Sequence, residues 1–371
     1  MNAEHGMKPE AAKSSLVGFR SSTGVQHSAF SVQRWLFILA FMLGISSAVA
    51  HEDTNQPAPG APRQTEKPSL SRRRFSLPLP TLGGLQFWGD EMIYCGWRIQ
   101  RSCFRHRYRL IDPSNIRRAS GTYEECEEAF RSLADKNIVR PRSDETVVLL
   151  HGLFRSRRSF RGLARHLAEQ GYEVVAIEYP STQASIEKHA AQLARVIGRT
   201  DGARQIHFVT HSLGGLVVRC YFRDHPDDER IGRLVMIAPP NRGTYISERM
   251  SRAPLGNFFA GPSGRQLAGS NSIYGSLPEP ACEFGVIAGG RGTPRGYSRF
   301  LPGDDDGVVR VEETRLDGMR DFLIVPAIHT FIMNDTRVKR AVVQFLRTGR
   351  FGEGAPVGPP APVGDARPGA L

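Results

Sequence analysis

The stretch Ile206-His207-Phe208-Val209-Thr210-His211-Ser212-Leu213-Gly214-Gly215-Leu216-Val217-Val218 runs from one apolar segment through a short polar turn into another. The first segment is apolar on nearly every residue, so both of its faces must be covered, as in a parallel sheet. The second continues to Cys220 with helical character. A serine between a buried strand and a helix sits on a tight, strained turn. Its neighbours at minus two and plus two must then be small. Gly214 meets that need, and Thr210 stands where the G-x-S-x-G pattern has glycine. A bare helix cap at Ser212 is the competing reading.

Working outward, five more apolar runs share this character: Val147–Leu150, Val174–Ile177, Leu234–Ile237, Phe284–Ala288 and Phe322–Val325. Between them, Phe160/Leu163/Ala164/Leu167 and Ile186/Ala190/Leu193/Ala194/Ile197 keep helical spacing, as does Val338/Val342/Phe345/Leu346 after the last. Alternation of this kind predicts a doubly wound, mostly parallel α/β sheet over residues 141–349, with ligands at the carboxyl ends of the strands.

Polar residues gather at those ends. Val147–Leu150 leads into His151-Gly152-Leu153-Phe154, where Gly152 lets the chain bend and aim the Leu153 N–H. Paired with the Leu213 N–H at the start of the next helix, it would form an oxyanion site. An ordinary strand-ending turn is the bland alternative. Past Phe284–Ala288 comes Asp304-Asp305-Asp306-Gly307, and past Phe322–Val325 comes His329. The order Ser212…Asp306…His329 gives a nucleophile, an orienting carboxylate and a base. Asp306 is chosen because it directly precedes the chain's return to the domain. Asp304 and Asp305 are in reach too, and the triplet could equally be a solvated turn or a weak calcium site, although no calcium-loop pattern accompanies it. His211 reads as a packing residue, not the base.

These motifs resemble the α/β-hydrolase superfamily, in particular secreted bacterial lipases and esterases, over about residues 145–349. The resemblance implies hydrolysis of carboxylic esters through an acyl-enzyme, without cofactor or metal, on a small-molecule or lipid substrate. A thioesterase, a lipid-headgroup deacylase or an amidase on the same fold is the alternative, as is a hydrolase-fold module that only binds. The long excursion 245–282, with Phe258 and Phe259, reads as a lid or acyl-binding wall, and Phe154 joins it as a candidate substrate contact; a plain surface loop is the counter-reading.

The rest of the chain frames this domain. Arg34 precedes the uncharged run Trp35–Ile45, and Ser46-Ser47-Ala48-Val49-Ala50 follows, the layout of a secretory signal cleaved after Ala50. The 33 residues before Arg34 are long for such a signal, so either the start lies near Val25 or residues 1–50 persist as an anchor. Export is expected either way. Residues 51–84 read as a linker, 85–140 as a small extension with strands in Met92–Gln100 and Tyr108–Ile111, and 350–371 as a disordered tail. In the extension, Thr122-Tyr123-Glu124-Glu125 is a capping box that opens a helix.

The 371 residues carry a net charge of +12, and all but six of the 49 basic residues are arginine. Arg72-Arg73-Arg74, Arg117-Arg118 and Arg155/Arg157/Arg158 lack interleaved aromatics, and no recognition-helix or zinc-finger spacing accompanies them. Nucleic acid is therefore not an expected partner; a membrane surface with anionic headgroups is one the charge would suit. Five cysteines leave at least one unpaired, with Cys95–Cys103 or Cys103–Cys126 as candidate disulfides and Cys220 a buried apolar residue.

Overall fold

The computed structural model describes residues 86–134, 143–199, 203–245, 261–267 and 272–352, and the backbone of 79–80. The signal-like segment, most of the linker, Phe258 and Phe259, and the tail beyond Gly352 lie outside the described residues. In chain order the elements are β1 (Leu79–Pro80), β2 (Trp88–Tyr94), β3 (Trp97–Ser102), β4 (Tyr108–Ile111), β5 (Ile116–Gly121), α1 (Tyr123–Ala134), β6 (Glu145–Leu150), α2 (Arg161–Glu169), β7 (Glu173–Ile177), α3 (Ile186–Ile197), β8 (Gln205–His211), α4 (Leu213–Asp224), β9 (Ile231–Ile237), α5 (Gly261–Arg265), β10 (Phe284–Gly289), α6 (Val311–Thr314), β11 (Asp321–Val325) and α7 (Thr336–Thr348).

Strands β6 to β11 form a parallel sheet in the order β11-β10-β9-β8-β6-β7. Each is one of the six apolar runs, extended by a residue or more. Their side chains alternate between two cores. Val148, Leu150, Phe208, Leu234 and Val286 pack under α3 and α4, while Val147, Leu149, Val209, Val235 and Ile287 pack under α2 and α7. A fully buried Leu, Ile or Val contributes about 1.5–3 kcal/mol, so these two layers dominate the stability. The chain runs outward from β6 to β7, then crosses back to β8 and proceeds the other way. The reversal opens a crevice between the carboxyl ends of β6 and β8, the place where such sheets hold ligands.

The extension folds as a second, antiparallel sheet, β1-β5-β4-β3-β2, with α1 packed on it through Cys126. The capping box is formed: Glu125 N–H donates to Thr122 Oγ1 at 3.2 Å, and Thr122 N–H donates to Glu125 Oε2 at 2.9 Å. Three sequence readings need correction here. The stretch Met92–Gln100 holds a hairpin turn, with Cys95 and Gly96 both at positive φ (46° and 81°). Leu79–Pro80, assigned to the linker, pairs with β5 as an edge strand, where a proline is tolerated. Phe351, assigned to the tail, is buried against Phe345 with ring centroids 4.8 Å apart.

All five cysteines are free thiols. Cys95 and Cys103 flank opposite ends of the six-residue β3, roughly 20 Å of strand, far beyond disulfide reach. Cys126 is sealed in the small core with Met92, Ile99 and Leu110. Cys220 is fully buried on α4, as its apolar setting suggests. Among the described residues, no helix is long and apolar enough to cross a membrane.

Three histidines are buried with their rings held neutral. Burial and the neighbouring His151 lower the His189 pKa to about 4, and burial likewise lowers His207 and His211 below 6.5. Each takes up a proton more readily when unfolded, so its contribution is complete above about pH 6.5 and is lost as pH falls below it, toward about 4 for His189. Stability measured by urea denaturation should fall steadily across this window, and His189→Leu should flatten the slope. A slope that is the same in the variant would show that His189 is not a source of it.

Candidate active site

The turn between β8 and α4 is strained. Ser212 has φ 52° and ψ −122°, a left-handed conformation that costs a non-glycine residue about 1–3 kcal/mol. It is held by its surroundings: Ser212 N–H donates to Ile237 O at 2.9 Å, and Gly215 N–H to Ser212 O at 3.0 Å. The Ser212 side chain makes no capping hydrogen bond to α4, so the reading of it as a bare helix cap does not hold.

Glycine is required on both sides of this turn. A Cβ on Gly214 would overlap the carbonyl oxygen of Leu150, the last residue of β6. One on Gly152 would stand 3.0 Å from both Ser212 Cβ and His211 Nδ1. Thr210, which stands where the pattern has glycine, is fully buried and faces Gly215, its Oγ1 3.4 Å from where a Cβ on that glycine would stand.

The acid and base segments meet above this turn. His329 Nδ1 is 2.6 Å from Asp306 Oδ2, and His329 N–H donates to Asp306 O at 2.9 Å. The other carboxylate oxygen accepts the N–H groups of Val308 (3.0 Å) and Val309 (2.8 Å). Asp306 is thus fixed at three points and fully sequestered, while the imidazole keeps Nε2 for a further partner. The neighbouring aspartates face elsewhere. Asp304 accepts from the N–H groups of Arg291 and Gly292, and Asp305 from those of Ser298 and Gly307.

His211 joins the two halves. Its ring lies 4.7 Å from that of His329, and its Nε2–H donates to His329 O at 3.1 Å. Because it directly precedes Ser212, it brings the histidine loop to the strained turn. Burial and the adjacent His329 hold its pKa well below the usual histidine range, so His211 stays neutral.

The loop after β6 is pinned just as closely. His151 is fully buried, stacks on Tyr179 at 4.2 Å, and donates from Nδ1 to Gly152 O at 2.9 Å. Tyr179 O–H donates to His151 O, and Phe154 N–H donates to Ser181 Oγ at 3.1 Å. Leu153 packs on the core beneath α3 and α4, whereas Phe154 (φ 58°) points its ring outward. Arg155 Nη2 reaches across to Thr330 O at 3.0 Å. The structure therefore brings Ser212, Leu213, Leu153, Asp306 and His329 to one edge of the sheet; Phe258 and Phe259 are outside the described residues. Sequence reasoning missed Glu178, Tyr179, Ser181 and Arg155. The first three directly follow β7, so the rule that picked the other strand ends could have found them. Among the described residues, no three His, Cys, Asp or Glu side chains are grouped as metal ligands.

The family profile described as alpha/beta hydrolase fold matches residues 145–260. No curated protein sequence matches the chain. Among solved structures, mature lipase BlEst2 of Bacillus licheniformis is 18% identical, with a TM-score of 0.46 over 55% of this chain and 91% of that one. Phospholipase PlaB of Legionella pneumophila, in complex with thio-NAD, is 16% identical, with a TM-score of 0.44 over 55% of this chain and 58% of that one. A thermophilic esterase of Thermogutta terrifontis, malate bound, is 17% identical, with a TM-score of 0.40 over 55% of this chain and 90% of that one. On its strand order and the profile match, the chain carries the α/β-hydrolase fold.

Gly214→Ala should cost about 1–3 kcal/mol, because the added methyl meets a backbone carbonyl that cannot move aside. Gly215→Ala should cost distinctly less, since its nearest contacts are side-chain atoms of Pro239, Met236 and Thr210 at 3.3–3.4 Å. Urea denaturation of the two variants checks this, and equal losses would contradict it.

Proposed function

We propose that this α/β-hydrolase-fold chain is a serine hydrolase that cleaves carboxylic esters through an acyl-enzyme. The observation that carries the reading is the buried Asp306–His329 pair, tied through His211 to the strained turn at Ser212. In this reading His329 Nε2 takes the Ser212 proton as Oγ attacks the ester carbonyl. Negative charge gathers on the carbonyl oxygen, where the N–H groups of Leu153 and Leu213 receive it; each such donor is worth about 10²–10³ in rate. The intermediate collapses, and the His329 imidazolium hands its proton to the departing alkoxide. Water then attacks the acyl-enzyme, with His329 as base again, and releases the acid. Asp306 holds the tautomer with its proton on Nδ1.

The surface around these residues supports a lipid ester as substrate. Phe331 (59% exposed), Phe154 (57%), Ile328 (42%) and Val308 (38%) sit on the loops that carry His329, Leu153 and Asp306. Phe87 and Phe104 form an exposed pair 5.6 Å apart, beside the Phe154 loop through the bond from Gln86 Nε2 to Arg155 O. Beyond Asp305, Arg291 and Arg299 lie over the rings of Tyr297 and Phe300. An apolar collar with guanidinium groups suits a bilayer with anionic headgroups, from which substrate would enter. Export, as read from Trp35–Ala50, would bring the chain to such a surface.

A fluorophosphonate probe should label the wild-type protein on Ser212. Ser212→Ala and His329→Ala should each lose about 10⁴–10⁶ in turnover of a soluble ester, Asp306→Asn less, and Asp304→Asn little. Absence of labelling would leave a fold that only binds, and faster turnover of the matching thioester or amide would reassign the bond. In co-sedimentation, vesicles containing phosphatidylglycerol should retain the protein better than pure phosphatidylcholine. Phe104→Ser with Phe331→Ser should abolish the retention; unaltered binding would remove the collar from the reading.

A further inference from the structure

The side chain that joins the antiparallel sheet most directly to the candidate oxyanion loop is that of Gln86. Gln86, just before β2, is a non-glycine residue at φ 62°. Its Oε1 accepts from Ser181 Oγ (3.2 Å), Thr182 N (3.0 Å) and Thr182 Oγ1 (3.0 Å), and its Nε2 donates to Arg155 O (3.0 Å). One carboxamide therefore ties together the loops that follow β6 and β7. Ser181 passes the constraint on: the hydroxyl that donates to Gln86 accepts the N–H of Phe154, the residue next to Leu153. The peptides on either side of Leu153 are thus fixed, by His151 and Arg155 N–H on Gly152 O, and by Ser181 on Phe154 N–H. Phe154 at φ 58° needs such support, because a left-handed non-glycine residue relaxes unless its neighbours over-determine it.

A second tether runs in parallel. Asp90 N–H on β2 donates to Glu178 O at 2.9 Å, and Glu178 N–H donates to Asp90 Oδ2 at 2.6 Å. Gln100 and Arg98 also donate to the Asp90 carboxylate, and Glu178 Oε1 stands 3.6 Å from His151 Nε2. The sheet thereby holds the residues after β7, which in turn hold His151.

We infer that the antiparallel sheet is a positioning device for the oxyanion donor, and that Gln86 is its positioning residue, setting the aim of the Leu153 N–H through Ser181 and Arg155. This rests on the serine-hydrolase reading above. It gives the extension a task in the chemistry: misaim of a donor by about an ångström costs on the order of 10²-fold in rate.

The test compares wild type with Gln86→Met, which keeps length and loses every side-chain hydrogen bond, and with Ser181→Ala, which removes the hydroxyl that joins Gln86 to Phe154 and leaves the bonds of Gln86 to Thr182 and Arg155. Turnover of a soluble ester, KM, pH profile, thermal midpoint and inhibition by a trifluoromethyl ketone are measured on the full chain. That ketone adds to the serine and places an oxyanion in the site. Gln86→Met should lower kcat by about 10–100-fold and weaken the ketone by the same factor, leaving KM and the pH profile unmoved. Ser181→Ala should act in the same direction, and the double variant should lose less than the product of the two. Wild-type kcat and ketone affinity in Gln86→Met, or a loss in kcat with the ketone unaffected, overturns the inference. If Gln86→Met does not fold, the same two measurements on Ser181→Ala decide it. A wild-type protein that neither turns over esters nor takes the fluorophosphonate refutes the hydrolase reading itself, a result distinct from either.

Discussion

The carboxyl edge of the parallel sheet depends on the approach of β6 to the β8–α4 turn, at a spacing no side chain would allow. Gly214 lies against the Leu150 carbonyl from one side, and Gly152 lies against Ser212 and His211 from the other. Absent methyl groups set the distance between the serine turn and the loop that follows β6. The strain at Ser212 is a consequence, since a chain leaving a buried strand into a helix this close has no relaxed path. Packing of β8 between β6 and β9, under both helical layers, offsets that strain.

Around this point the polar groups act as fixed struts. Asp306 accepts from two backbone amides as well as His329 and so cannot swing away. His211 has a single tautomer consistent with its bond to a carbonyl, and its depressed basicity keeps positive charge off the ring that touches His329. On the reading proposed above, a site assembled this way would need little rearrangement during the reaction, which is the condition for electrostatic stabilisation to be large.

Much of this was legible in the chain. Six runs apolar on consecutive residues can only be strands covered on both faces, and all six are strands of the parallel sheet. Thr122 with Glu125 announced α1 because a capping box is a local device that needs no tertiary help. The serine turn was readable since its glycine is demanded by backbone geometry. What escaped was long-range. The turn at Cys95-Gly96 was hidden inside an alternating stretch whose period continues across it. The candidate disulfides looked plausible in sequence because spacing says nothing about which end of a strand a thiol occupies. Gln86 left no trace, for a carboxamide that bonds to residues some 70 to 96 positions away has no periodicity to betray it, whereas Glu178 and Ser181 stood at a strand end that was passed over.

The meeting of β2 with β7 has a bearing on colloidal behaviour. The last strand on that side of a parallel sheet ordinarily offers its open amides and carbonyls to any passing chain, and natural proteins blunt such borders. Here Arg98 occupies the carbonyl of Ala176, and Asp90 takes up both the N–H and the carbonyl of Glu178. The charged pair Arg195–Glu91 stands alongside. The carboxyl end of the terminal strand is thereby blunted against intermolecular pairing, a guard supplied by the segment that precedes the parallel sheet.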